Sequence, residues 1–423
     1  MQNFKKINVK SIIEYILCFL LILSCGSVFD NMTNANFYIS EIFMVLLFLY
    51  VLLFLFPKFR KQKKTFLKFI IFFAFYVVYQ AIYILVHRNM PNMIVYTFKL
   101  VIIFLLLMMF YLFSNKDKIN DIIRKISKII IIISIISIFF FVLGSYLKII
   151  QPTNKVQIEF GNNNRAINSY FNIYFEAQET SIFGDYRIRN CAIFVEAPMF
   201  TIGLLIAISY ELFLSKEKKR KRNIILLFIT ILTTMSTTGI AVGSGLIALK
   251  IMYVIFNKNR TYKGKKVLKL ITISFIIVLG IISFIVIKDK WNSPSFMLRI
   301  DDYLAGYKAW EDHKIFGNGY QNYEAVQNHM SERVFNNMGQ SNSISNLFAE
   351  GGLWIGAVYT IPVIYLLVKN FKYKKYNNIM FILTLILIFC TIIFTYSIMI
   401  INFIAYGWSR ILKKGEEEIG KDG

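Results

Sequence analysis

The chain is short of the residues that build metal centres and disulfide frameworks. Only four cysteines occur among 423 residues (Cys18, Cys25, Cys191 and Cys390), each in or beside an apolar run, with no ligand spacing between them. The three histidines, His87, His313 and His329, are equally scattered, so the sequence predicts no metal site. A phosphate-cradling glycine loop, a zinc motif and a Ser-His-Asp set are all missing, and no cofactor is expected. Acidic residues are scarce, 24 against 48 Lys and Arg. The short alternating segments of a membrane barrel are missing, as are a solenoid-length repeat, a low-complexity linker and a separable soluble domain. Residues 1–423 therefore read as a single membrane domain.

What is present is apolar sequence. Hydrophobic residues make up 57% of the chain, Phe alone contributes 41, and mean hydropathy is +0.56. Apolar runs long enough to cross a hydrocarbon core of roughly 30 Å recur throughout. They fall at 11–29, 38–56, 66–86, 94–113, 128–147, 191–214, 223–238, 240–256, 267–287, 346–368, 378–394 and 396–412. The predicted fold class is all-α: a polytopic integral membrane protein of twelve helices, or eleven if 379–412 crosses once. Residues 5–26 have a basic start, an apolar run and Ser24-Cys25-Gly26, faintly like a lipoprotein cleavage box. With so many spans following and no A-x-A-like site, an uncleaved first helix is expected.

The net charge of +24 resembles a nucleic-acid signature until the charges are placed. Basic clusters such as PKFRKQKKT, SKEKKRKR and KNFKYKK fall at alternate connections, as the positive-inside rule requires of an alternating thread. SKEKKRKR is thus a topology determinant, and no nucleic-acid partner is expected. Both termini are placed in the cytoplasm, and the protein in the cytoplasmic membrane. Two large extracytoplasmic loops result, 148–190 and 288–345. Lys99, Lys250 and Glu14 lie deep in spans, where they would snorkel or pair. Where spans seven and eight meet, Met235-Ser236-Thr237-Thr238-Gly239 permits either a tight turn or a broken helix, and packing alone also explains it.

Charged residues cluster where these loops meet the spans. The first loop holds Arg165, Arg187 and Arg189. In R-N-C-A-I-F-V-E-A-P-M-F, Glu196 would sit about two turns inside span six, either paired structurally or facing a polar cavity. The second loop contains RIDDYLAGYKAWEDHK, read as a short helix with Tyr303, Tyr307 and Trp310 on one face. That face suits either the membrane surface or packing on the protein. Arg299 suits a diphosphate, because its planar fork grips phosphate oxygens, or it pairs with Asp302 one turn on. Ser341-Asn342 and Glu350-Gly351-Gly352 open span ten.

These elements resemble the O-antigen polymerase and ligase superfamily, the Wzy and WaaL type membrane glycosyltransferases. Arg189…Phe194-Val195-Glu196-Ala197-Pro198 is similar to the family's Arg…Phe…Glu-x-Pro element, and Ser236-Thr237-Thr238-Gly239 to its Ser-rich turn. Arg299…Trp310…Gly317-x-Gly319 is similar to its Arg-to-Gly-x-Gly element. SNSISNLFAEGGLWIG resembles its His-Asn-x-x-Leu…Glu-x-Gly-x-x-Gly segment, with Ser341 where ligases place His and the last glycine shifted to Gly356. The missing histidine favours a polymerase.

The resemblance implies transfer of sugar repeat units carried on polyprenyl diphosphate, with the lipid bilayer, a flippase and a chain-length regulator as partners. Arg299, Glu196 and Arg189 are the expected catalytic residues. Arg187, Arg165, Asp302, Tyr303, Trp310, Tyr320, His329, Ser341, Asn342 and Glu350 are the expected substrate contacts, the aromatics by stacking on sugar rings. Glu196 is the first candidate base, followed by Glu350, Asp302 and His329. A ligase-like transferase and a flippase for lipid-linked sugars remain as alternatives.

Overall fold

The computed structural model describes residues 8–33, 38–88, 90–115, 117–160, 163–182, 185–257, 274, 294–331 and 340–413. Five helices come first: α1 (Val9–Leu23), α2 (Ile39–Lys61), α3 (Lys63–Val86), α4 (Met93–Phe113) and α5 (Lys118–Tyr146). Five strands follow: β1 (Asn154–Phe160), β2 (Asn163–Tyr170), β3 (Tyr174–Glu176), β4 (Glu179–Ile182) and β5 (Asp185–Ile188). Next come α6 (Ala197–Leu214), α7 (Arg220–Thr233) and α8 (Thr237–Asn257). The chain continues with α9 (Pro294–Asp312), α10 (Tyr323–Gln327), α11 (Ser343–Lys372), α12 (Tyr376–Thr391) and α13 (Ile398–Leu412).

Six of these helices, α2 to α6 and α11, are long and apolar enough to cross a membrane, and shorter apolar helices run at 237–253, 376–391 and 398–412. The chain is a multi-pass membrane protein. Each expected span coincides with a described helix except 267–287, which, apart from residue 274, lies outside the described residues. Large apolar side chains line the outside of the bundle, as a lipid-facing surface requires: Leu53, Ile71, Phe75 and Leu85 are all more than half exposed.

The expectation of an all-α fold is corrected in the first large loop. There β1, β2 and β3 form an antiparallel meander, and β4 pairs with β5 in a hairpin. The period-two sequence Val156-Gln157-Ile158-Glu159-Phe160 carries the strand signal, but the polar, Asn-rich surroundings hide it. Ile158, Ile167, Phe175, Cys191 and Val195 form a small core under the meander together with Val28. The strand layer is thereby fastened to the end of α1.

The connections sort into two groups, one at each end of the bundle. At one end Met32 bridges Ile158, Asn92 Nδ2 donates to Gln321 Oε1 at 2.6 Å, and Ser343 Oγ donates to the Ile392 carbonyl at 2.8 Å. At the other, Lys58 Nζ reaches the Phe113 carbonyl at 3.0 Å and Lys128 pairs with Glu217 at 3.2 Å. Among the described residues, the basic connections occupy this second end. Here too the buried Glu14 is held by Lys118 at 2.6 Å, Lys125 at 2.8 Å and the Tyr50 hydroxyl at 2.5 Å, which ties α1, α2 and α5 together. Pairing is what makes a carboxylate tolerable at such depth. Lys250 lies over the rings of Phe213 and Tyr253.

Candidate active site

Glu196 does not lie two turns inside a helix. It is the residue that caps α6, in extended conformation (φ −146°, ψ 151°), and the helix begins at Ala197 with Pro198 in its first turn. Proline favours that position because the first-turn N–H groups have no intrahelical acceptor. The approach to Glu196 is held from three sides. Val195 N donates to the Gly26 carbonyl at 3.1 Å, Arg165 Nη2 donates to the Val195 carbonyl at 3.1 Å, and Ala197 N donates to Gln178 Oε1 at 3.1 Å.

Arg165, Arg189 and Arg299 all act electrostatically on the Glu196 carboxylate, one each from β2, the end of β5 and α9. Burial nevertheless raises Glu196 above its ordinary value, outweighing the three cations. Two of the arginines grip one turn. Arg189 Nε donates to the Thr234 carbonyl at 2.9 Å, and Arg299 Nη1 donates to Thr238 Oγ1 at 3.0 Å. This turn between α7 and α8 carries Met235 at φ 51° and is pressed against α6 at Gly239, where a Cβ would come within 2.7 Å of Thr201 Cγ2. The stretch from Thr234 to Gly239 is therefore the scaffold that anchors two of the guanidinium groups acting on Glu196. Three cations, one carboxylate and the N-terminus of α6 leave the site net positive, suited to an anion.

A second assembly joins α9 to α11. Asp302 does not pair directly with Arg299; its Oδ2 accepts from Ser341 N at 3.0 Å, and the side chain is buried. Asn342 caps α11 by accepting from Ser345 N at 2.9 Å, and Gly306 packs where a Cβ would meet Ser345 Cβ at 2.6 Å. Burial raises Asp302 to about 6, further aided by Asp301 and opposed by the Ser341 hydrogen bonds and Arg299. The folded protein thus holds a proton that the unfolded chain releases near pH 4, so this stabilisation is present below about pH 4 and lost as pH rises through about 6. Asp302→Asn keeps an acceptor for Ser341 without the charge. It is expected to stabilise the protein by on the order of 2–3 kcal/mol above pH 7 and by little at pH 4, checked by thermal unfolding at both pH values.

The third assembly unites the two glycine motifs. Asn318 N and Gly319 N donate to the Ala349 and Glu350 carbonyls, both at 2.9 Å. In return, Leu353 N and Trp354 N donate to the Lys314 and Ile315 carbonyls at 2.9 and 2.8 Å. The backbones approach so closely because Gly317 (φ 70°), Gly319 (φ 99°) and Gly352 (φ 56°) adopt conformations that side chains disfavour. The Gly-x-Gly and Glu-Gly-Gly segments are two halves of one interlock, which breaks α11 at Gly352.

The remaining candidates divide by exposure. Glu350 is 1% exposed, its two oxygens accepting from Gln321 N at 2.9 Å and Asn346 Nδ2 at 2.5 Å, so it buttresses the interlock and leaves no room for a substrate. Tyr320 is wholly buried between Tyr96 and Tyr396, a core residue with no face open to a sugar. Tyr303 gives its hydroxyl to the Cys390 carbonyl of α12. Trp310 donates to the Lys314 carbonyl at 3.1 Å and is half-buried near Phe348 and Tyr307. His329 Nε2 lies 2.6 Å from Asp312 Oδ2, beyond the far end of the Arg299 helix. Arg187 is exposed on β5 opposite Thr180 and is not among the groups acting on Glu196. Gln178, Thr234 and Thr238 enter the site without having been singled out as site residues. Only the Ser/Thr turn left a trace of them in the sequence.

Residues 223–360 match the family model described as O-antigen ligase. They are an O-antigen ligase family domain. Members of this ligase and polymerase family are enzymes that transfer lipid-linked glycans. No curated protein and no solved structure matches the chain. The O-antigen ligase family domain contains Arg299, the Thr234–Thr238 turn, Asp302 and the glycine interlock. Glu196, Arg189 and Arg165 come from the preceding part of the chain, so the cluster is assembled across the domain's edge.

Proposed function

We propose that the protein polymerises oligosaccharide repeat units carried on polyprenyl diphosphate, at the outer leaflet of the cytoplasmic membrane, for a surface polysaccharide such as O-antigen or capsule. The observation that carries this reading is the convergence of Arg165, Arg189 and Arg299 on Glu196 at the start of α6. Arg299 and Arg189 hold the diphosphate of the growing chain. Glu196 takes the proton from the acceptor hydroxyl as its oxygen bonds to the anomeric carbon. The bond from that carbon to the diphosphate breaks, and polyprenyl diphosphate leaves with the electron pair.

The diphosphate is already a good leaving group. The protein therefore contributes positioning and fixed positive charge where negative charge develops. Burial makes Glu196 more basic than a solvated carboxylate, which suits a proton acceptor. Ser341, whose N–H is committed to Asp302, stands where the related ligases place a histidine, and this favours polymerisation over transfer to a foreign acceptor. A flippase and a chain-length regulator are the partners such a pathway brings.

Purified protein in vesicles, given lipid-linked repeats alone, is expected to produce a ladder of lengthening glycans. Transfer only to an added non-carrier acceptor would establish a ligase instead. Leaflet exchange without new glycosidic bonds would establish a transporter.

A further inference from the structure

Helix α9 has three faces. Leu298, Asp302, Ala305, Gly306 and Ala309 point to the protein side; Asp302, Ala305 and Ala309 are buried, and the small residues allow close approach to α11. Asp301, Lys308 and Asp312 form a polar edge. The third face is apolar and open: Met297, Leu304 and Tyr307 are 51%, 56% and 53% exposed, with Ile300 and Tyr303 beside them. Segregation of this kind, on a helix that is not itself a span, is the pattern of a helix lying in a membrane surface.

Two observations bear on what covers this face. Tyr303 donates its hydroxyl to Cys390 O near the end of α12, so the stripe lies against the place where an apolar helix stops. It continues the exposed apolar flank of that helix, Leu383 and Leu387. Arg299 lies between the packed face and the stripe, with its guanidinium turned inward to Thr238. We propose that α9 is immersed by this stripe in the leaflet at the arginine-cluster end, and that the seam beside Arg299 is where the lipid carrier's diphosphate passes from bilayer to site. The second half rests on the polymerase reading; the first does not.

The immersed stripe keeps Arg299 at headgroup depth. A diphosphate anchored by a polyprenyl tail travels at that same depth, so it meets the guanidinium without its tail leaving hydrocarbon.

Two measurements test this. Spin labels placed singly at Leu304 and Tyr307, and at Lys308 and Asp301 for comparison, are read in vesicles in a Cys390→Ser background. Positions 304 and 307 are expected to favour oxygen over a water-soluble nickel complex, and 308 and 301 the reverse. Equal accessibility of all four overturns the immersion of α9. Leu304→Glu is then assayed with a long polyprenyl donor in vesicles and with a short-tailed, water-soluble donor. A loss of about tenfold or more on the long donor alone supports delivery along the seam. An equal loss on both overturns it. A wild-type protein inactive on either donor would count against the polymerase reading, while the accessibility pattern still decides the placement of α9.

Discussion

Arg299→Ala is expected to lower polymer formation by about two to three orders of magnitude, the usual effect of removing one preorganised donor from a developing negative charge. The side chain is half-buried and, among the described residues, makes one direct hydrogen bond, to Thr238, so folding should change little. Arg299→Lys should recover only part of the loss. An ammonium restores the charge but not the planar fork that spans two phosphate oxygens. The pH profile separates a chemical role from a structural one. Arg299 holds down the Glu196 pKa, so removing it raises that pKa, and the acid limb of the residual activity should move to higher pH. Full polymer yield from Arg299→Ala, in lipid vesicles or in a complemented null strain, would remove Arg299 from the site.

Gly352→Val is expected to prevent folding. Gly352 sits at φ 56°, ψ −158°, a combination essentially confined to glycine, and a Cβ there would stand 2.4 Å from the Ile315 carbonyl oxygen and 2.5 Å from Gly317 N. Both obstacles are backbone, held in place by the interlock itself, so neither can move aside cheaply. A loss on the order of 4 kcal/mol or more follows from strain and broken hydrogen bonds together, and that is comparable with the whole stability of many domains. Gly245→Ala in α8 is the control, because its added Cβ meets nothing within 4 Å and alanine favours helix. Thermal unfolding in detergent should show Gly245→Ala at or slightly above wild type. A folded, stable Gly352→Val would mean that the interlock does not form.

Much of the helical frame was legible because its signal is local. A run such as Phe66 to Val86 must satisfy its own backbone hydrogen bonds in lipid, so length and hydropathy alone identify a helix. The β-meander is hard to read although its strands pair with near neighbours in sequence, because Asn163–Tyr170 is polar, Asn-rich and without an alternation of its own. Site residues divide the same way. Glu196 beside Pro198 stands out in any reading of an apolar stretch. Glu350 and Tyr320 look just as available in sequence, and only packing closes them off.

The sequence by itself determined a chain of membrane-length apolar helices, the alternation of basic connections, and the motifs that point to transfer of lipid-linked glycans. These depend on composition and spacing along one stretch at a time. The tertiary structure decided which charged groups meet. It brought Arg165, Arg189 and Arg299 to Glu196 from β2, the end of β5 and α9, and tied the Gly-x-Gly and Glu-Gly-Gly segments into one lock. Such convergence depends on contacts between residues far apart in the chain, which local pattern does not encode.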